Sequence, residues 1–272
     1  MPLDRSGTRL SFDRLAALFD DQRGLPPQAV AALHGAFADL VDGGMATLIE
    51  PGAGTGRVAI PALAAGLRVT ALDISEPMLD ALRQRLQDLP EIADRCEIVL
   101  GDAVSLPFDD DRFDVGVLAQ VLYLIPNWQR ALDELVRVVR PGGRVLLLQE
   151  RTEMSTALRR WDAAWRDATS RAGYRALPQE PDDPAAVAAL NERVAEVTET
   201  ALASWTFGQT VAGALDGLER MRPLYDTLSD DAWHDAVALF QSWQDESGLR
   251  LGERLDGTVT LTLVSGVVSH GH

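Results

Sequence analysis

Thr47-Leu-Ile-Glu-Pro-Gly-Ala-Gly-Thr-Gly56 carries an apolar run straight into three glycines spaced by single residues. The run reads as a buried strand and its sequel as a tight turn into a helix. Glycines in such a turn let backbone amides approach a ligand that a side chain would hold away. The next apolar run ends in Asp73, 21 positions after Gly52. In nucleotide-binding α/β folds a carboxylate at that distance reaches the ribose hydroxyls. A dinucleotide fingerprint, Gly-x-Gly-x-x-Gly, would place its third glycine at 57, where Arg57 stands. An NAD(P)-dependent oxidoreductase is therefore a poor fit.

Outward from this stretch, residues 46–149 alternate short apolar runs with amphipathic helical stretches, the rhythm of a parallel sheet with helices on its faces. Strands are predicted at 46–50, 68–73, 96–100, 113–119 and 143–149. Gly66 can end the first helix, Ser75-Glu-Pro77 opens the second, and Asn127 can cap the helix that precedes Arg140-Pro-Gly-Gly143. Met78, Leu79, Leu82, Leu86 and Leu89 recur at helical spacing and read as a core-facing stripe. Further on, helices are predicted at 154–172, 185–194, 210–221 and 230–245, a β-prone run at 196–207 and a terminal strand at 257–265, with a Pro/Asp-rich loop at 178–184. There is no internal repeat and no clean linker. The expectation is one domain over 1–272: an N-terminal helical segment (1–44), a cofactor-binding core (45–150), a largely helical acceptor-side region (151–256), and a terminal strand and tail (257–272).

The chain has 272 residues, 46% of them hydrophobic, enough for a substantial core. Its 25 basic residues are all Arg, against 41 acidic ones. With no lysine, Schiff-base chemistry and Walker-type phosphate grips are excluded. The net charge of −16 disfavours nucleic acid and anionic membranes as partners. A single cysteine, Cys96, allows no disulfide framework within the chain and fits a reducing, cytoplasmic setting. Neither a signal peptide nor an apolar run of membrane-spanning length is evident.

The glycine stretch, acidic-x-Gly-x-Gly-x-Gly as Glu50, Gly52, Gly54 and Gly56, resembles motif I of the class I S-adenosylmethionine-dependent methyltransferases. The resemblance continues through Asp73, Gly101-Asp102-Ala103, Phe113-Asp114 to Ala119-Gln120, and Arg140-Pro-Gly-Gly143 to Leu147. It covers roughly residues 45–150 and lies nearest the type-11 and quinone-biosynthesis-like small-molecule group, although the longer quinone-specific signatures are not evident. It implies a Rossmann-like α/β fold with a seven-stranded, mostly parallel sheet whose last strand is antiparallel. S-Adenosylmethionine is the implied cofactor and a small molecule the implied acceptor. Glu50 is then expected at the methionine end, Asp73 at the ribose diol and Asp102 at the adenine amino group. Backbone near Ala53, Gly54, Ala103, Ala119 and Gln120 would close the pocket, with Ile74 and Met78 against the adenosine. The run around Phe12–Arg23 resembles the segment that folds over the cofactor in many relatives, which places Phe19 and Arg23 near the site.

Methyl transfer from a sulfonium is an in-line displacement with a neutral thioether leaving, so positioning and water exclusion dominate. A general base is needed only for a protonated acceptor. Tyr123 and His34 are the candidates, each with an ordinary packing or surface reading beside the catalytic one. Trp161, Trp165, Trp205, Trp233, Trp243, Tyr174, Tyr225 and Phe207 concentrate after residue 150 and suggest a partly aromatic acceptor wall. Asp109, Asp110 and Asp111 read as an acidic turn, and His270 and His272 as a frayed tail, so no metal is expected. The alternative of another class is a protein that binds S-adenosylmethionine as sensor or scaffold without transferring the methyl group.

Overall fold

The computed structural model describes residues 24–41, 46–174, 183–225 and 227–269. In chain order the elements are α1 (Pro27–Ala38), β1 (Thr47–Pro51), α2 (Ala59–Ala64), β2 (Arg68–Asp73), α3 (Glu76–Gln87), α4 (Pro90–Ala93), β3 (Cys96–Leu100), β4 (Phe113–Ala119), α5 (Trp128–Val138) and β5 (Val139–Met154). They continue with α6 (Thr156–Arg171), α7 (Asp183–Asn191), β6 (Ala195–Thr210), α8 (Val211–Asp216), α9 (Leu218–Met221), α10 (Asp230–Glu246) and β7 (Arg254–Val267). The seven strands form one sheet in the order β3-β2-β1-β4-β5-β7-β6. Parallel pairing joins β1 to β2 and β4, β2 to β3, and β4 to β5. β7 runs antiparallel: the Gly142 amide donates to the Val268 carbonyl at 2.8 Å, and the Val268 amide donates to the Gly143 carbonyl at 2.9 Å. The expected Rossmann-like α/β class and the reversed last strand are both present.

The chain divides into two compact units, one holding 1–150, 178–203 and 261–272, the other 151–177 and 204–260. In the first, central strands buried on both faces meet the apolar stripes of the helices. β1 is held to β4 beyond the ladder, because the Asp114 carboxylate accepts from both the Thr47 amide and the Thr47 hydroxyl at 2.7 Å. Burial pushes the Asp114 carboxyl up, but these bonds and Arg140 outweigh it and leave its pKa lowered. On α3 the Ser75 side chain caps the first turn by accepting from the Met78 amide at 3.4 Å. Met78, Leu79, Leu82 and Leu86 of the expected stripe are buried, and Leu89 is half-buried. On α5 Glu134 is buried, yet it accepts from the Leu106 amide and from Arg137, which also donates to the Leu106 and Phe108 carbonyls. That network fixes the loop after β3.

The second unit has its own core. Trp165 packs edge-on to Trp233 and Phe240, with ring centroids 5.5 and 5.1 Å apart, and its indole N–H donates to the Tyr225 hydroxyl at 2.6 Å. Trp161, Trp165 and Trp233 are buried, with Tyr174, Tyr225 and Trp243 packed against them, so most of the late aromatics build this core.

Most boundaries shift by one to five residues, as where β5 runs on to Met154 and β7 spans Arg254–Val267, and two departures have a clear local cause. β5 begins at Val139 rather than 143, because Arg140-Pro-Gly-Gly143 is absorbed as an irregularity in the strand: the β4/β5 register shifts between Phe113 and Val115. The helix expected at 210–221 is two short ones, α8 and α9, separated at Gly217.

Candidate functional site

A cavity of about 480 Å³ lies beyond the C-terminal ends of β1, β2 and β4 in the first unit. Its floor is the turn after β1. The Gly52 and Ala53 amides donate to the Leu72 carbonyl at 2.7 and 3.0 Å, which pins the turn under β2. Gly52 has φ +78° and Gly54 φ +53°, conformations that a side chain strains. A Cβ on Gly52 would lie 2.4 Å from Val121 Cγ2, whereas a Cβ on Gly54 would meet nothing within 4 Å. Gly52 thus serves close packing, and Gly54 exposes its backbone to the cavity.

Three carboxylates stand at three strand ends. Glu50, the penultimate residue of β1, is 2% exposed, and its Oε2 has no hydrogen-bond partner. Burial first, then repulsion from Asp73, holds its pKa well above the ordinary carboxylate value, against the pull of the Ala59 amide and Arg57. A cation placed beside this carboxyl would favour its ionised form. Asp73 closes β2: one oxygen accepts from the Gly54 amide at 2.8 Å and the other from the Ser75 amide at 2.9 Å. It therefore braces the glycine turn and the start of α3 at once. Asp102, just past β3, accepts from the Val104 amide at 3.1 Å and pairs with Ser105 in an isolated bridge. It shapes a turn and lines the cavity together.

Of the residues predicted from sequence, Glu50, Gly52, Ala53, Gly54, Asp73, Ile74, Met78, Gly101, Asp102, Ala103, Ala119 and Gln120 all line this one cavity. Gln120 takes φ +52° where the chain leaves β4. Gly56 does not line it, because a Cβ there would point at Leu82 Cδ1, 2.4 Å away, so this glycine serves packing on α3. Tyr123 and His34 are also outside the lining: Tyr123 sits half-buried in a 3-10 turn at Leu122–Leu124, and His34 is exposed on α1. Phe19 and Arg23 lie outside the described residues, as do His270 and His272.

Sequence reasoning missed several walls. Val121 and the run Leu124-Ile-Pro-Asn127 cover one side, and Asn127, expected as a helix cap, makes no side-chain capping bond and lines the cavity instead. The apolar run ahead of Pro126 was the available signal. Thr55, Arg57, Val58, Ser75 and Leu148 join them. Arg57 pairs with Glu150, 93 residues away in sequence, a pairing that no local spacing announces.

Comparison with known proteins gives a consistent picture. The family described as "Methyltransferase domain" matches residues 49–147. A ubiquinone/menaquinone biosynthesis C-methyltransferase of Methylobacterium nodulans is 32% identical over 174 residues, 55% of this chain and 68% of the relative. A demethylmenaquinone methyltransferase of Clavibacter sepedonicus is 39% identical over 113 residues, which are 42% of this chain and 44% of that protein, so the match spans under half of the latter's length. In fold, the YcgJ protein of Bacillus subtilis has a TM-score of 0.59 at 16% identity, with 89% of this chain and 99% of that one covered.

Proposed function

The chain belongs to the class I S-adenosylmethionine-dependent methyltransferases of the quinone-biosynthesis-like group, and from that premise we propose that it methylates a small-molecule acceptor. The observation that carries the reading is the cavity itself: a glycine turn open at Gly54, flanked by a buried Glu50 carboxyl with an unpartnered oxygen. These residues fit the donor. A sulfonium and an ammonium against one carboxylate make it cationic, and the walls carry Glu50, Asp73, Glu76 and Asp102.

When bound, the donor supplies an electrophilic methyl group on sulfur. Glu50 would face its cationic methionine end, Asp73 the ribose hydroxyls and Asp102 the adenine edge. Ile74 and Met78 give an apolar surface for the adenosine, and the Leu124–Asn127 run excludes water from the same space. Because Asp73 is already fixed by two backbone amides, its carboxylate is oriented before any ligand arrives. Acceptor recognition is assigned to the region 151–256, and the setting to a reducing compartment. Among the described residues no helix is long and apolar enough to cross a membrane.

The test is calorimetric titration with S-adenosylmethionine and S-adenosylhomocysteine, followed by labelled-methyl transfer into metabolite extracts read by mass spectrometry. Micromolar binding and a labelled small molecule are expected. Binding with no labelled product across extracts would leave a cofactor-binding protein, and no binding would overturn the reading entirely.

A further inference from the structure

We propose that Arg57, steered by Glu150, is the cavity's carboxylate receptor and holds the amino-acid carboxylate of the methyl donor. The inference rests on the reading that this cavity takes S-adenosylmethionine. It begins from a charge imbalance. Among the described lining residues Glu50, Asp73, Glu76 and Asp102 are acidic, and Arg57 is the one cation. An α-amino acid end carries both signs, so an acidic wall satisfies its ammonium and leaves its carboxylate facing repulsion unless a cation stands near. Arg57 is that cation. It follows Gly56 directly, where the chain leaves the turn, and its field already acts on Glu50, the carboxyl assigned to the same end of the donor.

The geometry shows a guanidinium held in place with capacity to spare. Arg57 Nη2 donates to Glu150 Oε1 just past Leu148, a cavity residue on β5. Arg57 Nε is buried and meets no acceptor. A guanidinium has five N–H donors in a fixed fork, so one edge can stay with Glu150 while another takes a ligand oxygen. A buried N–H without an acceptor is costly, and a carboxylate delivered to it would relieve that cost with a charge-assisted bond. Both partners are 21% exposed at the side chain, so the pair is partly shielded from bulk water, and of the two Arg57 lines the cavity. Glu150 is a positioning residue here, because it fixes the fork and touches no ligand.

The experiment compares two ligands by calorimetry: S-adenosylmethionine and its decarboxylated analogue, which keeps the adenosyl sulfonium and the amine but lacks the carboxylate. Wild type is expected to favour the intact donor by roughly ten- to hundredfold. In Arg57→Gln that ratio should collapse to within about threefold through loss of affinity for the intact donor, with the analogue's affinity unchanged or improved. Arg57→Lys should keep part of the preference, and Glu150→Gln should fall between wild type and Arg57→Gln. A purely structural Arg57 would weaken both ligands alike and preserve the ratio, and that outcome overturns the inference while leaving the proposed function standing. Should Arg57→Gln fail to fold, a wild-type ratio near one would overturn it by itself. Wild type binding neither ligand would remove the proposed function, and this inference with it.

Discussion

Replacing Asp73 with Ala should damage stability and donor affinity together, and the two losses can be separated. The carboxylate accepts two backbone N–H bonds, from Gly54 at 2.8 Å and Ser75 at 2.9 Å. Hydrogen bonds to a charged group contribute about 1.5–3 kcal/mol each, and the group is half-buried, so solvent screening reduces the pair to about 2–4 kcal/mol. For a chain of this size that corresponds to a fall in Tm of roughly 5–15 °C. Asp73 and both partners lie in the first unit, so in differential scanning calorimetry the transition of that unit should move. Asp73→Asn keeps one acceptor oxygen and should lose about half as much. Donor affinity should fall by about 5- to 150-fold, the equivalent of about 1–3 kcal/mol. A Tm within a degree of wild type would refute the bracing role. Lost stability with unchanged affinity, measured below both melting points, would refute the placement of the ribose.

Three further outcomes follow from the same geometry. Gly54→Ala should fold with a loss of about 1–2 kcal/mol from its positive φ yet lose most donor binding in titration, whereas Gly52→Ala must displace Val121 and should be the less stable of the two by thermal melting. Glu50→Gln should be more stable than wild type at pH 8, with the difference shrinking towards pH 5. The folded pKa of Glu50 is raised, so the native state binds more protons than the unfolded chain between the ordinary carboxylate pKa and the raised one, and wild type loses stability as pH rises through that window. A pH series of Tm differences that stays flat would contradict this, and the same variant should bind the sulfonium more weakly. Arg137→Ala should cost less than the about 3–5 kcal/mol typical of breaking a buried pair, because Arg130 still reaches Glu134 at 3.2 Å; urea unfolding of the first unit is the check.

Much of the parallel sheet was legible because each strand is an apolar run closed by a conformationally specific residue. β2, β3 and β4 begin and end where their apolar runs do, and β1 is displaced by a single residue. Binary pattern and turn chemistry agree there, so local reading suffices. The sequence pattern shortens β5, because Pro141-Gly-Gly143 looks like a turn in isolation. In the fold, Gly142 at φ +78° lets the strand bulge, while Arg140 donates to Asp114 at 2.7 Å across the neighbouring strand. The helix expected at 210–221 failed for the opposite reason: its periodicity continues through Gly217, where the chain stops one helix and starts another.

The same division runs through the cavity. Residues legible in advance are those whose chemistry is tied to the end of a strand: Glu50, Asp73, Asp102 and the glycines between them. What the sequence hides is tertiary: Arg57 follows the glycine turn directly, but its pairing with Glu150 spans 93 residues, and Val121 joins the wall by filling the space above Gly52. Asp73 and Asp102 also show why a choice between turn-former and ligand is the wrong question. Each satisfies backbone amides and lines the cavity in one conformation, so the turn's hydrogen bonds orient the carboxylate that the ligand would use. Removing either perturbs the scaffold and the site through the same atoms. A binding deficit in such a variant is therefore interpretable only beside its melting curve, whereas Gly54→Ala, whose added methyl meets open space, separates recognition from folding most directly.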